Sequence, residues 1–117
     1  MKGGAFVVLA TLLLPAASLA GQGWYLITPP VSEYPTESTN GQVDGSAPLA
    51  KWGQSAAFDT AQECERERNA KTTKAWDTLK GLQTQERENI LVKLQKLLNT
   101  SVLVGRCIAS DDPRLKQ

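Results

Sequence analysis

Phe58-Asp59-Thr60-Ala61-Gln62-Glu63-Cys64 joins a strand-like run to a helix and sets a cysteine in that helix's second turn. Upstream, Trp52, Gln54, Ala56 and Phe58 alternate with Gly53, Ser55 and Ala57, the period of a strand over Lys51 to Phe58. Asp59 follows, and its carboxylate can accept from the free N–H groups of the next turn. Gln62 stands three residues on and completes a capping box, with Asp59 as the expected cap. Thr60 with Glu63 is the same device shifted by one residue.

Cys107 is the second of two cysteines and lies in an apolar, β-branched run, Val102 to Ala109, that reads as the last strand. In an exported chain two cysteines form one bridge, and Cys64 with Cys107 would tie helix to strand. The chain-entropy account gives such a bridge roughly 4 kcal/mol. Against a typical stability of about 5–15 kcal/mol that is a large share.

Export is expected from the first twenty residues. Lys2 precedes an apolar run from Ala5 to Leu14, Pro15 breaks it, and Ser18-Leu19-Ala20 offers small residues to a signal peptidase. Cleavage after Ala20 leaves 97 residues (117 less 20), with 12 basic side chains once Lys2 is gone, against 12 acidic ones. The alternative is an uncleaved anchor over residues 3–20, which is short for a span of about 20 residues. A neutral mature domain lacks the clustered basic surface that nucleic acid or an anionic membrane would favour. Neither is therefore an expected partner.

Residues 21–30 hold the first strand, Trp24 to Thr28, stopped by Pro29-Pro30. Residues 31–50 are rich in Ser, Thr, Pro, Gly, Asn and Asp and read as a polar loop. Residues 51–117 then read as strand–helix–helix–strand within the same domain. The first helix runs at least to Lys71 and on towards Lys80, and Gly81 permits a break. From Thr84 a second helix carries Ile90, Leu91, Leu94, Leu97 and Leu98 as its apolar stripe. Ser110-Asp111-Asp112-Pro113 is a turn signal. The expected fold is α+β: a small three-stranded sheet with one or two helices and one disulfide.

Little chemistry can be assembled from these residues. The chain has no histidine, so Gly53-Gln54-Ser55-Ala56-Ala57 cannot serve a Ser-His-Asp triad. Glu63, Glu65 and Glu67 splay around a helix among arginines, as a solvated face does. Asn99-Thr100-Ser101 matches a glycosylation acceptor, a short pattern that recurs by chance. No catalytic residue, cofactor or metal is expected. Trp24, Tyr25, Ile27 and Ile108 are the candidate binding face, on whichever side of the sheet the first helix leaves open. The Ile90–Leu98 helix is the expected cover of that side, which would make the domain a monomer.

Trp24-Tyr25-Leu26 with Pro29-Pro30, Ala47-Pro48-Leu49 with Trp52, Phe58-Asp59-Thr60-Ala61 with Glu63-Cys64-Glu65, and Cys107 to Lys116 together resemble a group of small exported bacterial proteins known only as uncharacterised. The resemblance implies export and paired cysteines, and it implies no activity. The expected function is a non-catalytic exported domain, periplasmic or secreted, that binds a protein, an envelope component or a small ligand. The alternatives are a hydrolase using carboxylates such as Asp59, Glu63, Asp111 and Asp112, and a structural envelope protein without a discrete ligand.

Overall fold

In the computed structural model residues 23–84 and 88–116 are described, so the expected export signal lies outside the described residues. Strand β1 (Trp24–Thr28) is followed by two short strands, β2 (Val31–Glu33) and β3 (Gln42–Val43). Next come β4 (Gly53–Phe58), helix α1 (Ala61–Gln83), helix α2 (Ile90–Leu103) and β5 (Arg106–Ala109). Single 3-10 turns lie at Leu49–Lys51 and Pro113–Lys116. The main sheet is antiparallel in the order β4-β1-β5, and β2 pairs with β3 separately. The expected α+β class, three-stranded sheet and disulfide are all present.

Register decides the two faces. Trp24 lies opposite Phe58 and Ala109, and Leu26 opposite Ala56 and Cys107. Tyr25 lies opposite Ile108, and Ile27 opposite Arg106. Directly opposed residues share a face, so Trp24 and Leu26 go with Cys107, while Tyr25 and Ile27 go with Ile108. The Cys64–Cys107 bond, with Cα atoms 6.1 Å apart and 43 positions between them in sequence, pulls α1 onto the first of these faces. Cys64 is completely buried.

Strict alternation fails in β4. Leu26 pairs with Ala56 but Ile27 pairs with Gln54, which leaves Ser55 as an extra residue. Its hydroxyl donates to the Leu26 carbonyl at 3.2 Å. Such a bulge moves everything before it to the opposite face. Trp52 therefore leaves the side of Ala56 and Phe58 and joins Ile27 and Arg106. There the Arg106 guanidinium carbon sits 5.9 Å from the Trp52 ring centre, within range of a cation–π contact.

Helix α2 does not cover the second face as expected. It packs against α1 on the disulfide side, and its Ser101 hydroxyl donates to the Pro29 carbonyl at 3.2 Å. The second face is closed all the same, with Ile27 only 2% and Ile108 only 5% exposed. Trp52 beneath Arg106 supplies chain on that side. Two separate covers satisfy the rule that a sheet buries both apolar faces.

Three boundaries differ from expectation. The cap of α1 is Thr60, not Asp59: the Thr60 hydroxyl accepts from the Glu63 N–H at 3.1 Å and donates to the Glu63 carboxylate at 3.1 Å. Both pairs satisfied the same pattern, and the chain turns one residue later. Gly81 is absorbed into α1, which continues to Gln83. Val102 and Leu103 belong to α2, capped by Asn89, so the last strand begins at Arg106. At the corner a side chain on Gly105 would come 3.1 Å from the Val102 carbonyl oxygen and 3.4 Å from that of Ile27.

Residues 31–50, expected as an unstructured loop, carry the β2–β3 ladder. Gly41 takes φ +83°, where a Cβ would stand 2.9 Å from the Glu33 carbonyl oxygen. Only glycine suits that position. The Thr36 N–H donates to the Thr39 carbonyl at 3.0 Å, and the Thr39 N–H returns to the Thr36 hydroxyl at 3.0 Å.

Candidate functional site

Where α1, α2 and the sheet meet, their curved surfaces leave a cleft of about 240 Å³. Leu26 and Thr28 of β1 line it together with Ser55 at the bulge of β4. Leu98, Ser101 and Val102 come from α2, and Arg68 and Lys71 from α1. The bulge is what brings Ser55 here beside two residues of the helix-covered face.

Its polar chemistry is one-sided. The Ser55 and Ser101 hydroxyls both spend their protons on backbone carbonyls, those of Leu26 and Pro29. Beyond these two hydroxyls, Thr28 and two cations, the lining is apolar. Arg68 and Lys71 are half-buried, so their stems cover apolar surface while their charged heads reach water. The Arg68 Nε donates to Glu65 at 2.8 Å, which balances part of its charge. Lys71 forms no ion pair within 4 Å among the described residues.

Two wider depressions flank the N-terminal half of α2, of about 440 and 530 Å³. Their cations, and Glu88, are already committed. The Lys93 ammonium donates to the carbonyls of Thr36, Glu37 and Thr39 at 2.9, 3.1 and 3.3 Å. Glu88 pairs with Lys96, and that hydrogen bond holds its carboxyl below the usual range. The smaller cleft is the one that joins an apolar interior to a cation without an ion pair.

The four residues of the expected binding face are divided. Trp24 lies on the helix side, whereas Tyr25, Ile27 and Ile108 share the other side. Ile27 and Ile108 are buried there, so the chain itself occupies that platform. The cleft was missed because its lining comes from four separated elements, and none of them carries a local motif.

Two of the four carboxylates considered for hydrolysis, Glu63 and Asp112, are engaged elsewhere. Glu63 completes the cap of α1. Asp112 accepts from the Arg114 side chain at 3.0 and 2.9 Å and from its backbone N–H at 2.9 Å. The Arg114 side-chain bonds, ahead of the backbone one, pull the Asp112 pKa from 3.8 to about 2. A carboxyl so readily ionised is a poor general acid. Among the described residues, no group of three or more His, Cys, Asp or Glu is placed to hold a metal ion. No described helix is long and apolar enough to cross a membrane. No family model matches the chain, and neither a curated protein nor a solved structure shows significant similarity to it.

Proposed function

We propose that this chain is a non-catalytic exported domain that binds a ligand through the cleft between α1, α2 and the sheet. The observation that carries the reading is the pairing of an apolar interior with one uncommitted cation, Lys71, at its edge. Binding sites share that makeup: a mostly apolar concavity with a few polar groups that orient the guest. Export accounts for the disulfide, since such bonds persist in oxidising compartments. On this reading Asp59, Asp111 and Asp112 serve solvation and turns rather than hydrolysis.

The test is a fragment screen on the ¹⁵N-labelled protein, read by amide shifts. Shifts gathered on Thr28, Ser55 and Leu98 support the reading, provided Val102→Trp, which fills the cleft, abolishes them while the protein stays folded. Shifts gathered elsewhere, or none at millimolar fragment, overturn it.

A further inference from the structure

Given the reading of the cleft as the binding site, we infer that its occupant is a medium-chain carboxylate, an unbranched acid of about eight carbons. Size, polarity and charge each narrow the choice. A space of about 240 Å³ equals that of about eight liquid waters. Pockets for drug-sized ligands run to about 300–1,000 Å³, so a multi-ring ligand or a full lipid tail is too large for this seat. A methylene is close to a water in size, and a short acyl chain fills the space.

Polarity excludes a polar guest. Of the three hydroxyl-bearing residues that line the cleft, Ser55 and Ser101 have already given their protons to the carbonyls of Leu26 and Pro29, which leaves Thr28 alone as a hydroxyl donor. A guest carrying donors and acceptors along its length would lose its hydration there without full replacement, a costly outcome. Leu26, Leu98 and Val102 offer only dispersion and relief from water. The guest's buried part is therefore hydrocarbon.

Charge fixes the other end. Lys71 brings a positive group with no carboxylate of its own, and Arg68 keeps donors beyond those it gives to Glu65 and Asn69. An anionic head at the cleft's edge meets both, in a charge-assisted hydrogen bond of the stronger kind. An ammonium head would meet two like charges. A neutral alcohol would gain only the hydrocarbon contribution.

The experiment is a calorimetric and NMR titration of the protein with octanoate, octan-1-ol and octylammonium, repeated on Lys71→Gln and Lys71→Glu. Circular dichroism confirms that both variants fold. Octanoate should bind at least about tenfold more tightly than either other compound, and Lys71→Glu should remove that preference while leaving octan-1-ol unchanged. Equal binding of octanoate and octan-1-ol would overturn the charge assignment. If octanoate fails while a short peptide with a C-terminal leucine binds, the occupant is a chain terminus. The carboxylic-acid inference then falls and the cleft reading stands. If the three compounds and the peptide all fail while other fragments bind in the cleft, again only the inference falls. If nothing binds there, both fall.

Discussion

The ammonium of Lys93, on α2, donates to the main-chain carbonyl of Thr36 at 2.9 Å, across 57 positions of sequence. With the Glu37 and Thr39 carbonyls it forms a three-point clamp on the turn between β2 and β3. A polar segment with no apolar core of its own is thereby held to the helical layer. Lys93→Met keeps the stem and removes the donors. It should cost about 1 kcal/mol, since the clamp is partly open to water. Amide exchange should rise at the Thr36–Thr39 turn and stay unchanged in β1. An unaltered turn would mean that Gly41 and the threonine bonds suffice.

Capping separates two neighbouring residues. Thr60→Ala should destabilise by about 1 kcal/mol because the Glu63 N–H loses its acceptor. Asp59→Ala should fall within about 0.5 kcal/mol of the parent. Urea midpoints at constant slope provide the comparison, and a larger loss at Asp59 would reverse the assignment.

Acid should act through Asp112. Its pKa is depressed in the folded state, so its stabilising effect is complete above 3.8. The effect fades as the pH falls from there through about 2. Asp112→Asn should flatten stability across that window and leave it unchanged in shape above it. A carboxyl resonance of Asp112 titrating near 3.8 rather than near 2 would contradict the geometry.

The α2 stripe is unequal in burial. Leu97 is 8% exposed and Leu91 is 70% exposed. Leu97→Ala should cost about 2–5 kcal/mol, whereas Leu91→Ala should stay within about 0.5 kcal/mol. Thermal melts of the two variants distinguish this packing from one in which α2 lies across the sheet.

Among the described residues, one buried hydroxyl is unsatisfied. The Thr72 Oγ1 finds no partner, unlike those of Thr73 and Thr78, which donate to the carbonyls of Asn69 and Lys74. Thr72→Val keeps the shape and removes the polar atom. Stability should rise by about 1 kcal/mol. A loss of similar size would reveal a partner for this hydroxyl.

The order strand, helix, helix, strand could be read from the chain because alternation in β4 and the leucine spacing in α2 are local signals. The bridge was expected from the cysteine count together with the expectation of export. What stayed hidden depends on contacts between distant residues. The bulge at Ser55 leaves no mark in a run of small side chains, yet it moves Trp52 to the other face. Val102 and Leu103 suit strand and helix equally, and packing of α2 decides for helix. The hairpin within 31–50 is clamped by Lys93 from far downstream. The cleft is less legible still, since Leu26, Ser55, Lys71 and Leu98 meet only once the layers have formed.

The Cys64–Cys107 bond also governs how the molecule carries a mechanical load. Tension applied at the two chain ends passes through the covalent bridge, from the start of α1 directly into β5. Both helices, with the cleft residues Arg68, Lys71, Leu98, Ser101 and Val102, belong to a closed covalent ring outside the line of force. Stretching an oxidised chain therefore extends β1 to β4 and the C-terminal turn, while the ring adds no length. Only after reduction does the helical hairpin enter the force path, so the added contour length in a pulling trace reports the redox state of single molecules.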